Sequence, residues 1–167
     1  MDYKKGLKVI KIFLILSILL SIYLTYQHYK EGSSFCDLSE GLSCGVVNQS
    51  EWSELFGIPV AILGLLTFLG IYFLVHCLDK GIPLGFGSIS LSSTAIERII
   101  IAVLAWSLIF ALYLLVYVEY FKLKGIYCPA CIVLDVFIAI LLVVAILTFT
   151  HKKKILSNKA KNLRKKK

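Results

Sequence analysis

Four long apolar runs decide what this chain can fold into. Residues 55–78 and 99–118 contain no Asp, Glu, Lys or Arg. The run at 7–26 has lysines only at its entry, Lys8 and Lys11, and the run at 127–150 carries a single acid, Asp135. A helix needs about 20 residues to cross the hydrocarbon core of a bilayer, so each run is long enough to span it. Composition agrees: 59% of the 167 residues are hydrophobic and only 17% charged, too little polar material to cover a soluble surface. The expectation is an all-α membrane protein, a four-helix transmembrane bundle forming one compact domain.

The first run has a rival reading as a cleaved signal peptide. Its length, the lack of a small-x-small cleavage pattern, and the closing Tyr23, Tyr26 and Tyr29 favour a span ending in an interfacial aromatic belt instead. Residues 29–54 form a polar loop with Cys36 and Cys44. There Asn48-Gln49-Ser50-Glu51 has the pattern of a capping box, predicting a short extra-membrane helix beginning near Asn48. Gly57-Ile58-Pro59 marks the entry to the second span. Residues 81–94, rich in Gly and Ser, read as a loop, and Thr94-Ala95-Ile96-Glu97 as a second capping box before the third span. Residues 119–125 read as a short connection.

Charge sets the expected orientation. Residues 152–167 hold nine of the 18 Lys and Arg, and four more lysines surround the start of the first span. The positive-inside rule places both termini in the cytoplasm and the loop with Cys36 and Cys44 outside. The start of the fourth span, with Cys128 and Cys131, falls on that same outer, oxidising side. The chain divides into a four-span domain, residues 1–151, and a basic cytoplasmic tail, residues 152–167. The tail reads as a topology determinant touching anionic lipid rather than as a nucleic-acid-binding segment.

Tyr127-Cys128-Pro129-Ala130-Cys131 is the most reactive motif. Two thiols at this spacing share one side of a helical turn, and a helix N-terminus lowers a thiol pKa. Pro129 suits the first helical turn, where its missing N–H removes no hydrogen bond. The motif admits three readings: half of a zinc site completed by Cys36 and Cys44, a structural pair, or a redox pair. The outward setting favours the redox reading and predicts no metal. Cys36 and Cys44 are either a static staple of an exposed loop or a relay that exchanges with the second pair. Cys77 reads as a buried, inert thiol.

Cys36 and Cys44, then Ser50, then Phe56-Gly57-Ile58-Pro59, then Cys128-x-x-Cys131, together resemble the vitamin K epoxide reductase family in its prokaryotic form. The resemblance extends over about residues 7–150. It implies a four-helix bundle enclosing a quinone, menaquinone, ubiquinone or similar, beside the second cysteine pair. It further implies that a thioredoxin-like or DsbA-like partner passes electrons to Cys36, that Cys44 exchanges with Cys128, and that the Cys131 thiolate faces the quinone. Ser50 falls where members carry a Ser or Thr needed for activity, and Trp52 and Gly57 where members carry Trp and Gly. Phe56 and Gly57 join Cys131 and Asp135 as expected quinone-binding residues. The sequence departs from the family at 59–61, where many members place a quinone-binding Asn. It departs again at Asp135, where vertebrate members have Tyr. Bacterial members often fuse a thioredoxin-like domain through a fifth span; this chain has four spans, so its partner is expected to be a separate protein.

Asp135 lies four residues after Cys131 and seven after Cys128, on one helix face. A carboxylate at membrane depth is costly, about 2.5–3.5 kcal/mol on insertion scales. Asp135 is therefore expected to face the bundle interior in protonated form and to donate a hydrogen bond or proton to the quinone. The bland alternative is an interhelical hydrogen bond. The combined expectation is a multi-pass membrane thiol:quinone oxidoreductase that makes disulfides. The alternatives are a vitamin K reductase proper, or a non-enzymatic scaffold with a structural disulfide and a metal site.

Overall fold

The computed structural model describes residues 3–30, 36–39, 41–82, 84–86 and 89–165. Part of the loop that follows the first span (31–35 and 40) and the last two lysines of the tail lie outside the described residues. Inside a bilayer every backbone polar group must be paired within the protein, which leaves helices as the only open-chain solution. Among the described residues four helices are long and apolar enough to span, as expected. Helix α1 is Tyr3–Tyr29, α3 is Val60–Lys80, α4 is Ser93–Tyr113 and α5 is Pro129–Lys165, with the short α2, Cys44–Asn48, between the first two spans.

The spans alternate in direction, and α1 sits between α3 and α5 while α4 packs against α5. One end of the bundle carries both chain termini. There Glu97 of α4, 7% exposed, pairs with Lys152 of α5 at 2.6 Å and accepts from the Tyr3 hydroxyl of α1 at 3.3 Å. Lys11 of α1 bridges to Asp79 of α3 at 2.5 Å. Between the ends, Leu7, Ile10 and Leu14 interlock with Val75, Ile100, Leu104 and Leu141, all fully buried. Gly6 lies directly against Thr148, so α1 and α5 approach closely where only a small residue fits. Large apolar side chains such as Leu19, Trp106 and Val143 cover the outside, the pattern of a lipid-facing surface.

Both helix starts predicted from capping boxes are displaced. The helix expected to begin near Asn48 ends there: α2 starts at Cys44, with Ser43 as its N-cap accepting from the Val46 amide. Ser43 wins because Asp37 braces it. Its hydroxyl donates to Asp37 Oδ1 at 2.7 Å, and the same oxygen accepts from the Gly45 amide at 3.0 Å. A 3₁₀ turn, Glu51–Ser53, follows. Helix α4 is capped by Ser92 rather than Thr94, because Glu97 is drawn inward by Lys152 instead of folding back on the helix start.

Two small hairpins replace segments read as loop or helix entry. Strands β1 (Glu54–Leu55) and β2 (Ile58–Pro59) pair through Phe56 and Gly57. Both turn residues have positive φ, 54° and 77°, the two-residue hairpin geometry that glycine eases. Strands β3 (Leu84–Phe86) and β4 (Ile89–Leu91) form the second hairpin, in the segment read as a loop. Beyond Tyr113 the third span winds on as a π-helix, Leu114–Lys122. Much of the segment expected to be a connection is therefore helical. Helix α5 runs unbroken through the 151/152 boundary into the basic tail.

Candidate functional site

The end of the bundle opposite the termini gathers all four paired cysteines. Cys36 is bonded to Cys44, and Cys128 to Cys131. A tight turn closes the first pair: Leu38 donates to the Leu42 carbonyl at 2.9 Å, and Leu42 to the Ser39 carbonyl at 3.0 Å. The loop is then laid beside the residue preceding the second pair. Ser43 N–H donates to the Tyr127 carbonyl at 2.9 Å, and Tyr127 N–H to the Gly41 carbonyl at 3.0 Å. This two-bond backbone clamp delivers Cys44 to Cys128. Both are fully buried, and their sulfurs stand 3.5 Å apart.

Cys128 precedes α5 rather than lying within it. Pro129 occupies the first helical position, and the Cys131 N–H donates to Cys128 Sγ at 3.1 Å. The Cys128 sulfur thus takes the place of an N-cap side chain, at the end of the helix where partial positive charge collects.

Cys131 faces the other way, into a cavity of about 320 Å³, within the range of sites that hold small organic ligands. Its walls are apolar, built from Ala61, Gly64 and Phe68 of α3 and Phe110, Ala111 and Leu114 of the third span. Asp135, Glu119, Ser50, Asn48 and Trp52 also line it. Ser50 Oγ donates to the Val47 carbonyl at 2.8 Å. The Asn48 amide donates to the Leu24 carbonyl at 2.5 Å, and His28 Nδ1 donates to the Asn48 carbonyl at 2.6 Å. The two bonds made by Asn48 tie α2 to the end of α1. Ser21 of α1, also among the lining residues, is fully buried, and its hydroxyl has no hydrogen-bond partner among the described residues.

Of the residues singled out from sequence, Cys131, Asp135 and Ser50 meet at this cavity, with Cys44 and Cys128 immediately behind Cys131. Cys36 is half-buried, packed against the cluster that holds Cys44 and Cys128. Phe56 and Gly57 are not brought to the cavity wall. They form the hairpin turn, where Phe56 is 97% exposed, while their neighbours Leu55 and Val60 line the cavity. The turn's positive φ angles point the Phe56 side chain away from the bundle. Cys77 is buried and unpaired near the opposite end. Among the described residues no three His, Cys, Asp or Glu side chains are placed to share a metal ion.

Three cavity residues escaped the sequence reading. Asn48 supplies an amide side chain where none was found at 59–61, and Ser21 hides within an apolar run. Glu119 is 3% exposed, and its Oε2 accepts from the Cys128 N–H at 3.3 Å. The signal for it existed: an acid at the very end of an apolar run, nine residues before Cys128.

The fold and site define a four-span membrane protein in which two disulfides touch and one of them opens on a ligand-sized apolar cavity. Residues 8–146 match the model of the vitamin K epoxide reductase family. The chain belongs to that family, and is a membrane oxidoreductase of its thiol- and quinone-linked type.

Proposed function

We propose that this protein is a thiol:quinone oxidoreductase that makes disulfides for proteins folding outside the cytoplasm. The observation that carries the reading is the 3.5 Å contact between Cys44 and Cys128, with Cys131 on the cavity side of the second pair. Thiol–disulfide exchange needs that proximity, since a thiolate must reach the sulfur it attacks.

A dithiol of a separate thioredoxin-like or DsbA-like protein attacks Cys36, the more accessible member of the loop pair, and releases Cys44 as thiolate. Cys44 attacks Cys128, and Cys131 leaves as thiolate on the cavity side. The partner's second thiol completes its own disulfide and frees Cys36. Cys36 then attacks Cys44, restoring the loop disulfide and leaving Cys128 as thiol. Two electrons and two protons now reside at the second pair and its surroundings.

The cavity suits a quinone on its own chemistry. Apolar walls fit a ring and isoprenoid tail, and Ser21 is a buried hydroxyl lacking a partner. A quinone seated there supplies the two-electron, two-proton sink. Menaquinone and ubiquinone both meet that description. Cys131 presents sulfur to the cavity, Asp135 and Ser21 offer hydrogen-bond donors, and the apolar walls exclude water. The basic tail at the far end supports cytoplasmic termini and outward-facing cysteines.

The test is quinone reduction by purified protein, driven either by a small dithiol or by a thioredoxin-like protein. Cys36→Ser or Cys44→Ser should abolish turnover with the protein partner and spare much of the turnover with the small dithiol. Cys128→Ser or Cys131→Ser should abolish both. A Cys36→Ser variant that works normally with the protein partner refutes the relay.

A further inference from the structure

Resting on the redox reading of the second pair, we propose that Glu119 is the proton acceptor that lets Cys131 become a thiolate without adding charge to the buried site. Three observations converge on it. Glu119 is 3% exposed, yet it carries a carboxyl group into the wall of an apolar cavity. That carboxyl is tied to the second cysteine pair, through the hydrogen bond from the Cys128 N–H at 3.3 Å. Its backbone is fastened as well, with the Glu119 carbonyl accepting from the Gly125 N–H at 3.0 Å in the turn leading to Cys128.

The charge balance explains why such a group is placed there. Reduction of the Cys128–Cys131 disulfide by a dithiol brings in two electrons and two protons. With Glu119 as carboxylate before reduction, one proton stays on Cys128 and the other moves to Glu119. Cys131 is left as thiolate. The S–S bond has broken, one S–H and one O–H have formed, and the site carries one negative charge before and after. Without Glu119, thiolate formation adds a net charge to a low-dielectric interior, where each extra ion costs several kcal/mol. The Cys128 N–H donates to that carboxyl group at the oxidised pair.

The surroundings leave few other candidates. Among the described residues lining the cavity, the titratable side chains are Glu119, Asp135 and Cys131, and none is basic. Lys122, one turn on from Glu119, lies over the Trp52 and Tyr117 rings. Asp135 lies a turn deeper along α5 and is the competing acceptor.

The experiment reduces purified protein fully with dithiothreitol and follows the rate at which iodoacetamide alkylates Cys131, by peptide mass spectrometry, between pH 6 and 8. In the wild type the proton passes within the site from Cys131 to Glu119, and the rate is nearly flat with pH. In Glu119→Gln, which keeps the size and an acceptor for the Cys128 N–H, the thiolate forms only by releasing a proton to solvent. Its rate should fall at least tenfold at pH 7 and rise about tenfold per pH unit, as the release of one proton requires. A Glu119→Gln profile like the wild type's, or a wild-type rate that itself rises about tenfold per pH unit, overturns the proposal. So does that loss and slope produced by Asp135→Asn in place of Glu119→Gln. If dithiothreitol cannot reduce the wild-type pair at all, the redox reading itself fails, an outcome distinct from the others. Melting curves of the oxidised variants establish that they are folded.

Discussion

If Cys44 and Cys128 are the exchanging sulfurs, removing their present partners should make them bond to each other. In a Cys36→Ser/Cys131→Ser variant the two remaining thiols start 3.5 Å apart. A disulfide needs about 2.05 Å, so closure asks for roughly 1.5 Å of approach, within reach of small side-chain rotations at both ends. The new bond would join residues 84 apart, where the native bonds span 8 and 3. On the chain-entropy model the new link stabilises by about 4.6 kcal/mol, against about 2.5 and about 1.6 kcal/mol for the two it replaces. The gain and the loss nearly cancel. The oxidised double variant should therefore melt close to the wild type, and its reduced form well below its own oxidised form. Mild oxidation, proteolysis and non-reducing mass spectrometry should find one peptide pair joining Cys44 to Cys128. Free thiols at both positions after oxidation, in protein whose melting shows it folded, would refute the contact and the relay built on it.

Other perturbations separate chemistry from scaffold. Asp135→Asn keeps the shape of a cavity-lining residue and removes its acid; if Asp135 donates a proton, quinone turnover should fall at least tenfold and its pH profile change. Ser43→Ala removes the N-cap of α2 and the link to Asp37, and should cost about 1 kcal/mol; exchange between the two pairs should slow more than direct reduction of the second pair by a small dithiol. At the other end, Lys152→Met leaves Glu97 buried without its ion-pair partner. That should lower stability by about 3 kcal/mol, a melting shift that Glu97→Gln in the same chain largely reverses, with the Cys44–Cys128 trap unaffected.

Much of this architecture is readable along the chain because hydrophobicity is a local, additive property. A run of twenty uncharged residues must span or aggregate, whatever lies elsewhere, so the four spans and their alternation follow from residues 7–26, 55–78, 99–118 and 127–150 alone. Helix starts were less legible. Ser43 and Asn48 are both competent caps, and the choice went to Ser43 because Asp37, six residues earlier, orients its hydroxyl. The family pattern puts Phe56 and Gly57 at the quinone site, whereas the hairpin they close leaves Phe56 exposed.

The cysteine pairs themselves, with their ring sizes and the Pro129 that opens α5, were determined by the sequence. Which sulfur meets which was not. That depends on two backbone hydrogen bonds between residues 41–43 and Tyr127, a pairing that leaves no mark in residue type because any side chain could flank it. Likewise Glu119 reads as an ordinary acid at the end of an apolar run until the third span winds on as a π-helix and carries it beneath Cys128. Local chemistry decides where a chain crosses a membrane and which groups can react. Contacts between residues far apart in sequence, decided only when the helices pack, set which of those groups act on one another.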